Sequence, residues 1–315
     1  MGEWLKPTDL KSVKAARSSG VRIPLPPPSI LIKCLSKFST NNLQKNAYSG
    51  QAWRIKNFKR KNQMELKDKV GIVTGAAQGL GRQFALDCAA NGMKVALADI
   101  DTDALEKTRT ECKDKGVEAR GYELNVTEES AVEHVYSQVV SDFGTLDASI
   151  NNAGILRDSL LIKVKDGEIR KFPLSKWQAV IDTNLTGVFL CGREAAAQFV
   201  ELKKPGVIIN IASVARSGNF GQSNYSAAKA GVSSMTVLWA QELAHYGIRV
   251  AGIAPGFTAT EMLVSLREDI KEKFTNSIPL RRFAETSEMS DGALFILKNE
   301  YYTGRMRELD GGARI

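Results

Sequence analysis

The segment TGAAQGLG, Thr74 to Gly81, constrains this chain more than any other stretch. It follows the apolar run VGIVT and opens a pattern in which Leu80, Phe84, Ala85 and Cys88 fall on one helical face. A strand that passes into a helix through three glycines has a small structural repertoire. Gly75 permits the tight turn, Gly79 lets backbone approach a ligand, and Gly81 allows the helix to press against the strand. The helix N-terminus around Gln78 and Leu80 then offers N–H groups and the positive end of the helix dipole to a pyrophosphate. Such a loop binds a dinucleotide when more strand and helix units surround it, and is otherwise a plain glycine turn.

Here they do surround it. VALAD, LDASIN, VIINIAS and IRVAGIAPG read as strands too apolar on both faces for a sheet that meets solvent. Helix-length segments lie between them, including one with Val132, Val135, Val139 and Val140 on a single face. This alternation predicts one α/β domain over residues 64–315: a Rossmann-type, doubly wound parallel sheet with helices on both faces and no internal repeat. Asp99 ends the second strand, where its carboxylate can accept from ribose hydroxyls and would repel a ribose phosphate. Neither Gln78 nor Ile100 is basic, so NAD is favoured over NADP. Asp99 could instead cap the following helix, although Asp101 or Thr102 could do that too.

YSAAK places Tyr225 and Lys229 four apart, on one face of a helix. A tyrosine is a weak base at neutral pH, but a fixed ammonium beside it favours the phenolate, which could exchange a proton with an alcohol or carbonyl oxygen. The pair alone is common by chance. It stands, however, in one ordered series with the glycine loop, NNAG at Asn151 to Gly154, NIAS ending at Ser213, and Pro255-Gly256. With that series the sequence resembles the short-chain dehydrogenase/reductase family, from about Met64 to Ile315.

The resemblance implies that Tyr225 is the acid/base, that Lys229 lowers its pKa and holds the nicotinamide ribose, and that Ser213 hydrogen-bonds the substrate oxygen. It implies that Asn184, in DTNLTG, supports a water-linked proton relay through the lysine. Asn152, Ala153 and Gly154 would line the cofactor cleft, with Asn125 and Val126 beside the adenine. Pro255, Gly256, Thr258 and Thr260 would hold the carboxamide. Two positions depart from the usual pattern. Asn125 stands where relatives usually carry aspartate, and Ser213 precedes Tyr225 by 12 positions, about one fewer than in many relatives.

GNFGQSNYSAAKAG and PGFTATEM look most like the branch that reduces 3-oxoacyl thioesters or oxidises 3-hydroxyacyl ones. Another small alcohol or ketone is the alternative substrate, and a non-catalytic dinucleotide sensor or scaffold the alternative class. Asp166-Gly167, flanked by alternating residues in LLIKVKDGEIRKFPL, predicts a hairpin whose Lys163, Lys165, Arg170 and Lys171 could meet coenzyme A phosphates. Residues 257–283 look like the family's mobile helix-loop over the substrate. The resemblance also implies a homo-oligomer, a tetramer or dimer, with Trp239 on a helix that could lie at the interface or in the core.

The net charge of +8 suggests nucleic acid until it is located. Residues 1–63 hold 13 basic and two acidic residues; the remainder holds 30 and 33, which argues against a nucleic-acid partner. Cys34, Cys88, Cys112 and Cys191 form no C-x-x-C pair, and His134 and His245 have no Cys or His cluster around them, so no disulfide framework and no metal site are expected. A reducing cytoplasm fits this cysteine usage, and no apolar run is long enough for a membrane span. Four prolines between positions 24 and 28 argue against packed structure in the leader. It could be a mitochondrial presequence, but lysine outnumbers arginine. VRIP can be encoded by GTT CGA ATC CC, a common tRNA T-loop, and KRKNQM can hide a ribosome-binding AGGA. The reading adopted is a translated tRNA gene and spacer, with the native start at Met64 and a bacterial cytoplasm as the location.

Overall fold

The computed structural model describes residues 64–264 and 267–313. The expectations for residues 1–63, Cys34 among them, lie outside the described residues. Five strands fall where the apolar runs place them: β1 (Val70–Thr74), β2 (Lys94–Asp99), β4 (Ala148–Asn151), β7 (Gly206–Ile211) and β8 (Ile248–Pro255). With β3 (Ala119–Glu123) and β9 (Met306–Leu309) they form one parallel sheet in the order β3-β2-β1-β4-β7-β8-β9. The edge strands ARGYE and MREL carry no apolar run. With one side unpaired they bury fewer residues, so their composition resembles loop.

Helices cover both faces. On one lie α1 (Gly79–Ala90) and α9 (Thr286–Lys298); on the other α3 (Glu129–Phe143), α5 (Gly187–Glu201) and α6 (Ser223–Glu242). α2 (Thr102–Lys113) continues the first layer. Successive strand residues point to opposite faces, so Val73 packs with Phe84 and Ile296 while Ile72 packs with Tyr136 and Phe199. Each large aliphatic side chain so buried contributes about 1.5–3 kcal/mol. Within this interior Asn151 and Asn210 are nevertheless fully enclosed polar residues.

Strand order reverses between β1 and β4, and in a sheet of this kind the ligand crevice opens there, beyond the carboxyl ends of the strands. The turn at Gly75, the end of β2 at Asp99, NNAG after β4, Ser213 after β7 and Pro255 in β8 all lie at that edge. The hairpin expected at Asp166-Gly167 is present as β5 (Ile162–Lys165) and β6 (Glu168–Lys171). Both turn residues have positive φ, +54° and +78°, as a two-residue turn of this type requires. Its strands pair with each other and leave all eight residues exposed. α4 (Leu174–Ile181) follows it, and residues 257–283 contain α7 (Glu261–Val264) and α8 (Glu268–Ser277), where Phe274 stacks at 5.0 Å on Phe257. Among the described residues no helix is long and apolar enough to cross a membrane and no group of three or more metal-ligating side chains occurs.

Candidate active site

The glycine loop is clamped to its neighbour. Thr74 Oγ1 accepts from the N–H groups of Asn152 (3.0 Å) and Ala153 (3.2 Å), and Asn152 Nδ2 donates to the carbonyls of Thr74 and Gly75, each at 3.1 Å. Gly75 has φ +66°, and a Cβ there would lie 2.8 Å from Ala153 Cα. A Cβ on Gly81 would lie 1.9 Å from the Gly75 carbonyl oxygen. α1 therefore starts against the turn with no room for a side chain. Its N-cap Gln78 makes no side-chain cap, so the first-turn N–H groups are served by no side chain there. Gly79, with φ +57°, faces Thr260, whose Cγ2 lies 3.7 Å from where its Cβ would be; this brings the 255–260 segment to the loop. The cradle fits a dinucleotide pyrophosphate.

Asp99 Oδ2 accepts from Ala77 N–H at 2.9 Å and Oδ1 from Asp101 N–H at 3.1 Å. The carboxylate is thus fixed beside the loop, and the helix cap is Asp101, which accepts from Ala104 N–H. Ile100 next to it is 69% exposed. Asn125 behaves less simply than expected. Its Oδ1 accepts from both Thr127 N–H (3.2 Å) and Thr127 Oγ1 (2.9 Å), so an adenine amino group would have to share an oxygen already engaged in the turn before α3. Val126 is buried against Gly187.

Tyr225 and Lys229 share the buried side of α6. Lys229 Nζ donates to the Ile211 carbonyl at 2.7 Å and stands 5.6 Å from the Tyr225 ring centroid. Burial pulls its pKa down to about 8. Burial pushes Tyr225 up to about 12, against a lowering hydrogen bond from Ser213 and with a small upward push from Asp158. The expected depression of Tyr225 by the ammonium is therefore not what this geometry produces: Nζ addresses a strand carbonyl, and desolvation of the phenol dominates. Tyr225 is a protonated phenol, suited to donate. Ser213 reaches it despite the shorter loop, because Ser213 also caps the short 3₁₀ turn Val214–Ser217, its Oγ accepting from Ala215 N–H. The capping and substrate-facing readings of this serine are compatible.

Asn184 lies in a π-helical turn, Asp182–Thr186, between α4 and α5. Its side chain is spent on backbone: Oδ1 accepts from Ile155 N–H (2.8 Å) and Nδ2 donates to the Ile155 carbonyl (2.9 Å). It braces the segment after Gly154, whose Cβ would meet Asn184 at 3.4 Å. Single π-turns of this sort recur at functional sites because they shift the backbone hydrogen bonds out of register. Pro255 ends β8, Gly256 N–H donates to the Leu309 carbonyl, and Thr258 bridges Ala284.

Some positioning residues carried no signal in the sequence. Thr74 is an ordinary strand threonine until β4 brings NNAG to it. Asn224 Oδ1 accepts from Tyr225 N–H while its Nδ2 donates to the carbonyls of Arg157 and Lys176, fixing the start of α6. Asp158 accepts from Gln222 Nε2 at 2.9 Å, and Ser159 N–H donates to the Gly221 carbonyl, tying the hairpin stem to the loop before Tyr225.

A doubly wound parallel sheet with a glycine cradle at its switch point and a Tyr/Lys/Ser cluster at the same edge defines a dinucleotide-dependent oxidoreductase. The comparisons with known proteins agree. Residues 69–271 match the family model described as short chain dehydrogenase. The 3-oxoacyl-acyl-carrier-protein reductase of Staphylococcus aureus (strain Mu50) is 40% identical over 248 residues, 78% of this chain and 97% of that protein. The enzyme of the same name from Thermotoga maritima is 38% identical over 255 residues, 80% of this chain and 100% of that one. Among solved structures, NAD+-bound xylitol dehydrogenase is 30% identical with a TM-score of 0.72, covering 79% of this chain and 100% of that one. This chain belongs to the short-chain dehydrogenase family.

Proposed function

We propose that the protein is an NADH-dependent reductase of 3-oxoacyl thioesters, interconverting the 3-oxo and 3-hydroxy forms. The observation that carries the reading is the meeting of Tyr225, Ser213 and Lys229, its Nζ 5.6 Å from the tyrosine ring, at the edge where the glycine cradle lies. The names of the relatives, 3-oxoacyl-acyl-carrier-protein reductases, support the substrate class.

A reduced nicotinamide supplies the hydride. Gly75, Gly79 and Gly81 with the first-turn N–H groups of Gln78 and Leu80 would hold the pyrophosphate, Asp99 the adenosine ribose, and Asn152, Ala153 and Gly154 the cleft floor. Pro255, Gly256, Thr258 and Thr260 would hold the carboxamide, and Ile100, Asn125 and Val126 flank the adenine side. Ser213 donates to the substrate oxygen and orients it; Tyr225 gives that oxygen its proton. Lys229, as an ammonium, would hold the ribose and restore the proton on Tyr225, with the Asn184 turn supporting the path for water.

The initial rate of NADH oxidation with acetoacetyl-CoA tests the reading, with NADPH alongside. A rate specific to NADH is expected; saturable NADH binding without turnover of any 3-oxo thioester would turn the proposal toward a sensor. Asp99 should set the preference by repelling a ribose phosphate. Asp99→Asn keeps an oxygen for Ala77 N–H but removes the charge, and should narrow the Kd ratio of NADPH to NADH by about ten-fold, which is about 1.4 kcal/mol. An unchanged ratio in titrations with both nucleotides would place the discrimination elsewhere.

Carrier recognition is a separate matter. Lys163 and Arg170 stand directly opposite each other on β5 and β6, a like-charge pair that Glu168, 3.6 Å from Arg170, offsets in part. Charge reversal of Lys163 and Lys165 should raise KM for acetoacetyl-CoA and leave KM for the matching short thioester unchanged. Equal effects on both substrates would exclude phosphate recognition by the hairpin.

The catalytic unit is proposed to begin at Met64. Its N–H already donates to the Lys298 carbonyl at 3.0 Å, and about four-fifths of the chain spans the full length of the relatives. Residues 64–315 prepared alone should match the full chain in kcat. A homo-oligomer through α5 and α6 is proposed as well. Exposed Phe189, Val237 and Leu238 flank the half-buried Trp239, whose ring covers Gly192.

A further inference from the structure

Five enclosed polar side chains form one line across the molecule, from α3 through β4 and β7 to α6. Tyr136 Oη lies 2.8 Å from Ser149 Oγ, Ser149 Oγ donates to Asn151 Oδ1 at 2.9 Å, Asn151 Nδ2 to Asn210 Oδ1 at 2.9 Å, and Asn210 Nδ2 to Thr236 Oγ1 at 3.0 Å. Thr236 Oγ1 in turn donates to the Val232 carbonyl at 2.8 Å. None of the five is more than 1% exposed.

The direction of the line follows from its ends. Thr236 gives its proton to Val232, so its oxygen can only accept, which fixes the Asn210 amide, then the Asn151 amide, then the Ser149 hydroxyl. Tyr136 must therefore be the donor to Ser149. Every dipole points the same way, an arrangement in which neighbouring hydrogen bonds strengthen one another.

Stability alone does not require it, since apolar groups of the same shape in place of both partners of a buried pair can be nearly neutral. Neighbouring positions on β4 and β7 are Ala148, Ile150, Val207, Ile208, Ile209 and Ile211, and an apolar side chain in place of each polar one would also pack. What the line supplies is direction. Beyond Asn224 at its start and Lys229 at Ile211, α6 meets the sheet through Ala228, Val232, Thr236 and Ala240, and apolar contact of that kind sets no axial height for the second half of the helix. A hydrogen bond does.

The residues that follow in sequence are those of the site. Asn151 precedes Asn152, which clamps the glycine turn; Asn210 precedes Ile211, whose carbonyl receives Lys229 Nζ; Val232 lies three residues past Lys229. We propose that this line of hydrogen bonds is a positioning device for Tyr225 and Lys229, with Asn210 and Thr236 as its positioning residues. The proposal rests on the reading of that pair as the proton-handling groups. It holds α6 at one axial height against β4 and β7, so that Lys229 Nζ meets Ile211 and Tyr225 meets Ser213 in the same state.

Thr236→Val in the full chain tests it, since valine keeps the shape and removes the hydroxyl; Thr236→Ser keeps the hydroxyl. With acetoacetyl-CoA and NADH, Thr236→Val should lower kcat about ten-fold, a fraction of the hundred-fold that a 1 Å displacement costs. The alkaline limb of the kcat profile should move as Lys229 changes surroundings. Amide exchange over residues 225–240, measured without substrate, should quicken in Thr236→Val. Thr236→Ser should restore wild-type rate, limb and exchange. Asn210→Leu, which cuts the line on both sides, should reproduce the valine effects.

A folded Thr236→Val protein with wild-type kcat, pH profile and exchange overturns the proposal. So do equal losses in the valine and serine variants, because the serine keeps the hydroxyl that the line needs. If Tyr225→Phe retains full activity the catalytic reading fails instead, and the exchange data still judge the positioning.

Discussion

Replacing Tyr225 by phenylalanine is expected to lower kcat for thioester reduction by about 10²- to 10⁴-fold, the range a positioned proton donor contributes. NADH affinity should persist, because the glycine cradle and Asp99 are untouched. The ring stays, so the 5.6 Å approach of Lys229 to it stays as well, and what is lost is the hydroxyl that Ser213 bonds. The pH dependence of the wild type adds a second signature. Tyr225 remains protonated up to about 12, whereas Lys229 loses its proton near 8. Reduction needs both protons, so kcat should be flat below about pH 8 and fall about ten-fold per unit above it. Stability moves the other way. The unfolded chain keeps the lysine proton up to its ordinary value of 10.5, so between 8 and 10.5 it binds more protons than the native state, and this group's contribution to stability rises with pH. Loss of rate without loss of fold above pH 8 would therefore point to Lys229. A flat kcat to pH 10, or a fully active Tyr225→Phe, would reject the assignment.

Gly81→Ala should be nearly as severe, through a different route. The added Cβ would stand 1.9 Å from the Gly75 carbonyl oxygen and 2.6 Å from Asn152 Nδ2. The first obstacle is backbone, which has no rotamer to change. α1 would have to withdraw from the turn, and overpacking of this kind costs about 1–3 kcal/mol or more. The second obstacle is the side chain that holds NNAG against the loop, so both walls of the cradle would part together. An NADH Kd raised by about 10- to 100-fold is expected, the equivalent of about 1.4–2.8 kcal/mol of lost contact. Calorimetry of the variant with and without NADH should find a lowered Tm and little stabilisation by the nucleotide. Normal affinity would mean that the helix N-terminus is not the pyrophosphate site.

Gly116 offers the contrast. It too has positive φ, +82°, but nothing lies within 4 Å of its Cβ position. Substitution there would strain only a surface turn. The glycines of the loop differ from it because of what the fold brings close to them, not because of their backbone angles alone.

Much of this molecule was legible in its residues because local rules decide it. Apolar runs long enough for a strand, glycine at the turn after VGIVT, the four-residue spacing of Tyr225 and Lys229, and Asp-Gly in the hairpin each act over a few neighbours. They determined the inner strands, the glycine turn and the hairpin, while the cleft residues were assigned through the resemblance to a family. The edge strands escaped because a half-paired strand needs no apolar run. Partnership belonged to the tertiary structure alone. Asn184 spends its amide on Ile155 and Lys229 its ammonium on Ile211, bonds to groups that the fold had first to bring within 3 Å or so. The same holds for charge state. Tyr225 and Lys229 have ordinary values in an open chain, and it is their enclosure between α6 and β7 that pushes one up and the other down, because burial disfavours whichever form is charged.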